Sequence, residues 1–556
     1  MKLLFLSVFC FCSALVFSSQ SEELLAQMSL EQKIAQLFVL PAVQGGDEEH
    51  QSALLNMVRD RRIGGVLLKQ GDPEGQVAFI NRLQREAQTP LLCCLDAERG
   101  LSQRLTGVVS FPFNLTLGAI QDDQLLYLLG REIGRQCKMV GGHINFAPVV
   151  DVNINPDNPV IHMRSFGEDP KRVAQKARHF VRGMREQGIL ACAKHFPGHG
   201  DTSTDSHEGL PEVNHSRAEL NALDLYPYRP LIDDQIDAIM LGHLYFPCLD
   251  TLPTTLSATT IRNLLRRELH FEGLVVTDAL NMGALQQLFI PGEIALQALL
   301  AGCDLLTYGD HRPEKIAEIH TAIVPLAMQR IKEAIEEGLL DIDQRVLKIL
   351  QTKERLGLFD VKEVPLSKML LEELNSQQVK NLKSALYRAA ITVVENRDAL
   401  LPLALKRRIA LLHQRDFPAF TQALQKYATI TSFAFDEREK LLSQINSYDC
   451  LIVSLDDLKI KHNEFSLSYE LTLSEEMDEF LQTVRAAPTV LALFGTPYSL
   501  SKLPSQTAIV IGYEKEPEAA EAVADILFGK LIPQGRLPVS SGTYPVGRGI
   551  TWTNYP

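Results

Sequence analysis

The sequence predicts an α/β protein, with a (β/α)8 barrel of the TIM type followed by a second α/β domain that is an αβα sandwich. Eight short apolar runs alternate with amphipathic stretches between Ile34 and Gly357. Strands that alternate with helices form parallel sheets covered on both faces, and eight such units close a barrel. The chain of 556 residues is also longer than one hydrophobic core normally supports, so a second domain is expected.

The predicted barrel strands are runs of apolar residues that lie between helical stretches. The clearest helix begins after Asp169-Pro170, because Asp is a favourable N-cap and Pro suits the first turn. It has an apolar face from Val173 to Met184 and ends at Gly188. The runs are Leu37–Leu40, Ile63–Leu68, Pro90–Leu95, Ile144–Val152, Ile189–Ala193, Ala238–Phe246, Leu274–Thr277 and Asp304–Leu306.

The second domain is predicted from a further set of apolar runs. Residues 358–385 are polar and helix-prone, and we interpret them as a linker between a catalytic domain at 20–357 and a C-terminal domain at 386–556. A helix over Glu518–Phe528, ended by Gly529, completes the pattern. The predicted strands are Ile391–Val394, Ile409–Leu412, Cys450–Ser454, Val490–Phe494 and Ala508–Ile511.

Charge and the N-terminal segment limit the partners and the location. The net charge of −13, without a basic block, argues against nucleic acid or an anionic membrane as the main partner. Lys2 precedes the apolar run Leu3–Phe17 and then Ser18-Ser19-Gln20, which predicts a signal peptide at 1–19 and an exported, periplasmic or secreted protein. The run is short for a membrane span, although an uncleaved anchor stays open.

The cysteines do not indicate a metal site. Seven of the nine remain after removal of the predicted signal peptide, and none has the CxxC spacing of a zinc site. We expect small buried side chains with at most one or two disulfides. The sequence therefore predicts no cofactor.

The segment 194–211 carries Lys194, His195, Asp205 and His207 among prolines and glycines, directly after a predicted strand. So many titratable groups in a loop at the end of a strand indicate a functional site. In the sequence Asp-Ser-His, the carboxylate can orient the imidazole two residues later, and an oriented imidazole is suited to general acid and base catalysis. The alternative is that Asp205 and His207 are ordinary polar side chains on the surface, without a catalytic role.

Other predicted barrel strands also end at polar side chains. Asp96 and then Arg104 follow the third strand, Arg164 follows the fourth, His243 the sixth and Asp278 the seventh. The carboxyl ends of barrel strands form one catalytic face, so these side chains should converge. An acid after four apolar residues must be paired or functional. Asp278 is therefore a candidate nucleophile, with capping of the next helix as the alternative.

The cations of these loops have two interpretations. Arg104, Arg164 and Lys194 could neutralise neighbouring carboxylates, or they could bind sugar hydroxyls or a substrate carboxylate.

A metal site is the main competing interpretation of the segment 194–211. Its spacings match no common metal-binding signature, and Lys194 would repel a cation, so no catalytic metal is predicted. The side chains that could in principle ligate zinc or manganese are His195, His199, Asp201, Asp205 and His207.

These motifs resemble glycoside hydrolase family 3, in particular its β-N-acetylglucosaminidase (β-N-acetylhexosaminidase) branch of the two-domain exported type. The resemblance is carried by KHFPGHGDT at 194–202 with Asp205-Ser206-His207, by RSFG at 164–167, and by VTD at 276–278 with Met282. The sequence GKL at 529–531 with GRLP at 535–538 resembles the second domain of the family.

The resemblance implies a mechanism and a substrate. Asp278 would be the nucleophile of a retaining hydrolysis, and His207, oriented by Asp205, would act first as acid and then as base. The implied substrate is a terminal β-linked N-acetylglucosamine, in particular in peptidoglycan fragments, without a metal or a cofactor. The positions that match sugar-binding residues are Asp96, Arg104, Arg164, Lys194 and His195.

One departure from the family and three alternative functions stay open. The family often has Asp-x-Glu-Gly-Gly, whereas this chain has Asp96-Ala97-Glu98-Arg99-Gly100, so Glu98 and Arg99 are not expected to contact the substrate. The alternatives are a β-glucosidase or β-xylosidase of the same family, a glycoside phosphorylase, and a cell-wall-binding protein without activity. The sequence does not predict the oligomeric state.

Overall fold

The computed structural model describes residues 19–45, 48–310, 312–360, 363–461 and 467–552. The predicted signal peptide at 1–19 lies outside the described residues, apart from Ser19, and stays a prediction. Ser19 is the N-cap of the first helix, and its side chain accepts a hydrogen bond from the Glu22 N–H. No helix within these ranges has both the length and the apolar character that a membrane crossing needs.

Eight parallel strands form the first sheet and confirm the predicted barrel. Their order is β7-β6-β5-β4-β3-β2-β1-β8, and a parallel bridge between Val276 and Leu305 brings β7 beside β8 and closes the ring. Each strand overlaps its predicted apolar run, and each is buried on both faces. The strands are β1 (Phe38–Ala42), β2 (Gly65–Leu68), β3 (Leu92–Leu95), β4 (Ile144–Asn145), β5 (Leu190–Phe196), β6 (Ala238–Leu241), β7 (Leu274–Thr277) and β8 (Leu306–Thr307).

Helices surround this barrel. The predicted helix is confirmed as Pro170–Glu186, where the Asp169 side chain accepts from the backbone N–H of Lys171 at 2.8 Å. Three segments are π-helical: Met57–Arg61, Thr259–Glu268 and Ile319–Ile323. The other α-helices are Gln20–Gln27, Leu30–Gln36, Glu48–Asn56, Pro73–Glu86, Asn114–Gly118, Gln124–Met139, Arg217–Ala222, Tyr228–Asp233, Gly283–Gln286, Pro291–Ala301, Pro313–Glu318, Val324–Glu336 and Asp343–Arg355.

The second domain contains a six-stranded sheet in the order β11-β10-β12-β15-β16-β9, in which only β9 is antiparallel to its neighbour. β13 and β14 form a separate antiparallel hairpin. The strands are β9 (Thr392–Asn396), β10 (Arg408–His413), β11 (Thr429–Ala434), β12 (Cys450–Asp456), β13 (Leu458–Lys461), β14 (Leu467–Glu470), β15 (Thr489–Phe494) and β16 (Ala508–Ile511). The helices from 370 onward are Leu370–Leu374, Gln377–Ala390, Pro418–Gln425, Arg438–Gln444, Glu475–Thr483 and Pro517–Leu527.

Two features of this half differ from the sequence expectation. β11 is an edge strand with mostly exposed side chains, so it lacks the apolar run by which the other strands were predicted. The helix Gln377–Ala390 crosses the predicted boundary at 386 and packs against Pro517–Leu527. The end of the predicted linker is therefore part of the second domain's helical layer.

The second domain contacts loops at the catalytic end of the barrel. The Glu514 carboxylate accepts hydrogen bonds from the Phe113 backbone N–H at 2.9 Å and from the Thr116 hydroxyl at 2.6 Å. The Ser540 hydroxyl donates to Glu168 at 2.6 Å. These contacts hold the loops after β3 and β4.

The cysteines are packing residues. All seven in the described part of the chain are free thiols, and all except Cys248 are buried. Burial raises the pKa of Cys93 to about 12, so this thiol stays protonated.

Candidate active site

A cavity of about 700 Å³ opens at the carboxyl ends of the barrel strands. Two of the side chains that the sequence places at this face do not line it: Asp205 lies behind His207, and His243 is buried with its Nε2 3.0 Å from the Ala279 carbonyl. The predicted residues that line the cavity are Asp96, Arg104, Arg164, Lys194, His195, His207 and Asp278.

Three cations of the cavity, Arg104, Arg164 and Lys194, are paired with two carboxylates that follow β3. Arg104 Nη2 lies 2.7 Å from Asp96 Oδ2, and Lys194 Nζ lies 3.4 Å from Asp96 Oδ1. Lys194 also lies 2.9 Å from Glu98, and Arg164 donates two hydrogen bonds to Glu98 at 2.7 and 3.0 Å. The neutralising role considered for these cations is therefore observed, and it fixes their positions in the cavity.

Glu98, which the sequence analysis does not expect to contact the substrate, lines the cavity and pairs with two of its cations. Its carboxylate is buried, and although burial opposes ionisation, Arg164 and Lys194 hold its pKa well below the usual range. Lys194 and Arg104 likewise outweigh burial and hold the pKa of Asp96 far below its usual range. The signal for Glu98 was its place two residues after Asp96, at the same strand end.

His195 is oriented by a second carboxylate that the sequence did not assign to the site. Its Nδ1–H donates to Asp151 Oδ2 at 2.8 Å, and Asp151 also accepts from the His199 backbone N–H at 2.7 Å. Asp151 is 1% exposed. Although burial opposes ionisation, the charge of His195 lowers the pKa of Asp151. The other nitrogen of His195, Nε2, therefore faces the cavity, 3.4 Å from Arg164.

Asp205 and His207 form the predicted dyad. His207 Nδ1–H donates to Asp205 Oδ1 at 2.8 Å, and the same oxygen accepts the His207 backbone N–H at 2.9 Å. Asp205 is buried, whereas about a quarter of the His207 side chain is exposed at the cavity. Because Nδ1–H is engaged in the hydrogen bond to the carboxylate, Nε2 is the nitrogen that can exchange a proton with a bound molecule.

Asp278 follows β7 and faces the same cavity. Oδ1 accepts the Ala279 backbone N–H at 2.7 Å. Burial opposes ionisation, but the charges of His195 and His243 lower the pKa of Asp278. Among the described residues, no Lys or Arg lies within ion-pair distance of this carboxylate, so it stays ionised without a direct ion-pair partner.

The loop that carries the dyad rests on the segment after Asp278. The Gly283 N–H donates to the His207 carbonyl at 3.3 Å, and the Ala284 N–H donates to the Ser206 carbonyl at 3.2 Å. The Gln287 side chain donates to the Glu208 carbonyl at 2.7 Å. The loop that carries His207 is thereby joined to the segment after Asp278 by main-chain hydrogen bonds.

The base of the 194–211 segment is held by another histidine. His215 Nδ1 lies 2.7 Å from Asp224, and Nε2 lies 3.1 Å from Asp201 within the segment. The hydrogen bond to Asp224 raises the pKa of His215 to about 9. The sequence analysis did not single out His215, because the contact depends on folding of the loop.

The second domain supports the loop that carries Arg164. The rings of His162 and Tyr498 lie 5.1 Å apart, and the Tyr498 hydroxyl accepts from Asn153 Nδ2 at 2.7 Å.

Within the described ranges, no cluster of three or more His, Cys, Asp and Glu side chains is arranged to hold a metal ion.

A closed (β/α)8 barrel with a carboxylate and a His–Asp dyad at one polar cavity defines the chain as a glycoside hydrolase. The chain belongs to glycosyl hydrolase family 3. The model of the family's N-terminal domain matches residues 29–351, and the model of its C-terminal domain matches residues 391–545. The alternative of a binding protein without activity is not supported.

Similar proteins agree with this assignment. Beta-hexosaminidase A of Pseudoalteromonas piscicida is 33% identical over 413 residues, which is 66% of this chain and 65% of that protein, slightly less than two thirds of its length. A beta-N-acetylglucosaminidase/beta-glucosidase of Cellulomonas fimi is 26% identical over 93% of this chain and 94% of its own. The solved structure of a family 3 beta-N-acetylglucosaminidase from Paenibacillus sp. is 28% identical, with a TM-score of 0.75 over 93% of this chain and all of the other.

Proposed function

We propose that this enzyme is a retaining exo-β-N-acetylglucosaminidase that removes terminal β-linked N-acetylglucosamine. The observation that supports the proposal is that the Asp278 carboxylate and the His207 imidazole, oriented by Asp205, line one cavity. A retaining glycosidase needs these two roles, a nucleophile and a proton donor, on either side of the bond that breaks.

The first step forms a covalent intermediate. Asp278, kept ionised by the imidazoles around it, attacks the anomeric carbon while the bond to the leaving oxygen breaks. His207 Nε2–H gives its proton to that oxygen. Asp205 accepts the hydrogen bond from His207 Nδ1–H and so keeps the ring in the same orientation during both steps.

The second step releases the sugar. A water molecule replaces the leaving group, neutral His207 takes one of its protons, and the water oxygen attacks the anomeric carbon. The bond to Asp278 breaks as the new bond forms, which restores the carboxylate. The sugar thus inverts twice and leaves with its original configuration.

The remaining predicted residues hold the terminal sugar. Asp96, Arg104, Arg164, Lys194 and His195 are already fixed by their mutual ion pairs and by Asp151, so few side chains need ordering when substrate binds. Their remaining hydrogen-bonding capacity suits hydroxyl groups.

N-acetylglucosamine linked in peptidoglycan fragments is the proposed substrate. The Pseudoalteromonas relative is named a hexosaminidase and the Paenibacillus relative a beta-N-acetylglucosaminidase, which supports a hexosaminide rather than a glucoside as the substrate. Export of the chain, proposed from residues 1–19, would bring it to such fragments. Mass spectrometry of the mature N-terminus would test the export, and an intact Met1 on protein from the cell envelope would contradict cleavage.

Trapping tests the nucleophile directly. The enzyme is incubated with 5-fluoro-N-acetylglucosaminyl fluoride, digested and mapped by mass spectrometry. The label should be on Asp278, and Asp278→Asn is the matched control that should take up none. A label on another side chain would overturn the assignment.

A β-glucosidase is the second candidate, because the Cellulomonas fimi relative, which covers 93% of this chain, carries both activities in its name. Nitrophenyl N-acetylglucosaminide, glucoside and xyloside give the comparison. Faster turnover of the glucoside would favour this candidate. Added phosphate with detection of sugar 1-phosphate would distinguish a phosphorylase from a hydrolase.

A further inference from the structure

Nearly every charge in the cavity has a partner of opposite sign. Asp96 and Glu98 pair with Arg104, Arg164 and Lys194 as described above. In the segment that follows β8, Arg312 pairs with Asp310 at 2.9 Å. One guanidinium of the cavity lining, that of Arg99, is outside this network.

Arg99 is half-buried and has its guanidinium carbon 4.0 Å above the centre of the Phe113 ring. Its side chain makes no ion pair and no hydrogen bond with any residue that the structure describes. The nearby acid, Glu514, already accepts hydrogen bonds from Phe113 and Thr116 through one oxygen. Glu514 interacts electrostatically with Arg99 but forms no ion pair with it, so Arg99 is a positioned cation without a direct ion-pair partner among the described residues.

A stacked guanidinium keeps its N–H donors available. The contact between the Arg99 guanidinium carbon and the Phe113 ring uses none of the N–H donors, so these donors can bind both oxygens of a carboxylate. The ring also restricts the side chain, which lowers the entropy cost of binding. The chemistry offered is that of a carboxylate-binding subsite.

The terminal sugar cannot supply this carboxylate, because N-acetylglucosamine is neutral. The anion must therefore be on the other side of the bond that is cleaved. Arg99 is adjacent in sequence to Glu98, whose partners Arg164 and Lys194 belong to the terminal-sugar site, so the two subsites share one wall of the cavity.

We propose that Arg99, braced on Phe113, binds a carboxylate on the leaving-group sugar, and that the preferred substrates are β-N-acetylglucosaminides of acidic sugars. This inference rests on the proposed function. The carboxylate could be on a lactyl ether, as in N-acetylmuramic acid, or on the ring, as in a uronic acid. In either form the interaction selects an acidic leaving group over a neutral one.

A pair of substrates that differ only in charge tests the proposal. The kcat/KM is measured for N-acetylglucosaminyl-β-1,4-N-acetylmuramic acid and for its methyl ester, with the wild type, Arg99→Gln and Arg99→Lys. The wild type should prefer the acid, and Arg99→Gln should lower the acid-to-ester ratio by about 10- to 100-fold. Arg99→Lys should keep part of the preference, because it keeps the charge but not the paired donors.

Two further arms identify the source of the carboxylate. A disaccharide of N-acetylglucosamine with glucuronic acid replaces the lactyl carboxylate by a ring carboxylate, and N,N′-diacetylchitobiose is the neutral reference. For each acidic disaccharide, the ratio of its kcat/KM to that of chitobiose is compared between the wild type and Arg99→Gln. The acid whose ratio falls more carries the carboxylate that Arg99 binds. An acid-to-ester ratio that is the same in the wild type and Arg99→Gln would overturn the proposal.

A binding measurement separates this inference from the proposed function. Calorimetric titration of the muramic disaccharide and of its methyl ester into Asp278→Asn, with and without Arg99→Gln, measures the dissociation constant without turnover. Weaker binding of the acid, but not of the ester, in the double variant supports the subsite even if neither compound is cleaved. Absence of cleavage in the wild type would then contradict the proposed function alone.

Discussion

The main-chain carbonyl of His207 accepts a hydrogen bond from the Gly283 N–H at 3.3 Å. Gly283 follows Asp278 by five residues, so the proposed acid/base loop rests on the loop of the proposed nucleophile. A Cβ atom at position 283 would lie 2.5 Å from the same carbonyl oxygen. The close approach therefore requires glycine, and the distance between the two catalytic groups depends on it.

Gly283→Ala should displace the His207 loop and lower kcat/KM by about 10- to 100-fold, since errors of about 1 Å in catalytic geometry have effects of this size. Steady-state kinetics on the nitrophenyl N-acetylglucosaminide measures the loss. The control is Gly209→Ala in the same loop, where the new Cβ would lie an ordinary 3.5 Å from Thr204. Equal activity of the two variants would contradict the role of the contact.

His207→Ala and Asp278→Ala should respond differently to the leaving group. Loss of general acid help costs about 10²–10⁴ in rate, and the loss should be smallest for aglycones that depart without a proton. Asp278→Ala should be worse on every substrate, because no covalent intermediate can form. A series of substituted phenyl glycosides measures both slopes, and the same slope in both variants would refute the assignment.

Glu98→Gln should lower both stability and activity. The substitution keeps the shape but removes the charge that neutralises Arg164 and Lys194 in a buried position, which costs about 3–5 kcal/mol in comparable ion pairs. Urea unfolding measures the free energy. Glu521→Gln, which removes an exposed pair with Lys426, is the control and should cost less than about 1 kcal/mol. Similar losses of unfolding free energy in both variants would show that the buried ion pairs of Glu98 stabilise the fold no more than an exposed pair does.

We expect the free energy of unfolding to depend on pH through His215. Its pKa is about 9 in the folded state against an ordinary value near 6.5, so its contribution is complete below about pH 6.5 and is lost as the pH rises through 9. His215→Gln should therefore reduce the free energy of unfolding by on the order of 3 kcal/mol at pH 6, and by less and less toward pH 9.

Chemical denaturation at a series of pH values measures this difference. His179→Gln, which removes an imidazole bonded to the Gln175 carbonyl, is the control and should show no such trend. A difference between wild type and His215→Gln that is constant with pH would contradict the ion-pair interpretation.

The barrel could be predicted from the sequence because its strands are buried on both faces, which makes each an uninterrupted apolar run. The edge strand β11 escaped prediction for the converse reason, since its side chains are mostly exposed. Asp278 could be found because it directly follows β7, and the Asp205–His207 pair because its two residues are close in sequence within the loop after β5.

Partners that depend on folding could not be found in this way. Asp151 lies 44 residues from His195, and Glu98 lies 66 residues from Arg164. No local pattern joins such pairs, because their contact is made by the closure of the barrel. The same holds for Arg99, because its lack of a direct ion-pair partner among the described residues is visible only in the folded structure.

The hydrogen bonds of Glu514 and Ser540 have a consequence for biosynthesis. Glu514 contacts a loop 401 residues earlier, at Phe113, and Ser540 contacts Glu168 across 372 residues. The ribosome finishes all eight barrel strands while these partners are still untranslated. The hydrogen bonds that hold the loops after β3 and β4 therefore form only when nearly the whole polypeptide has been made.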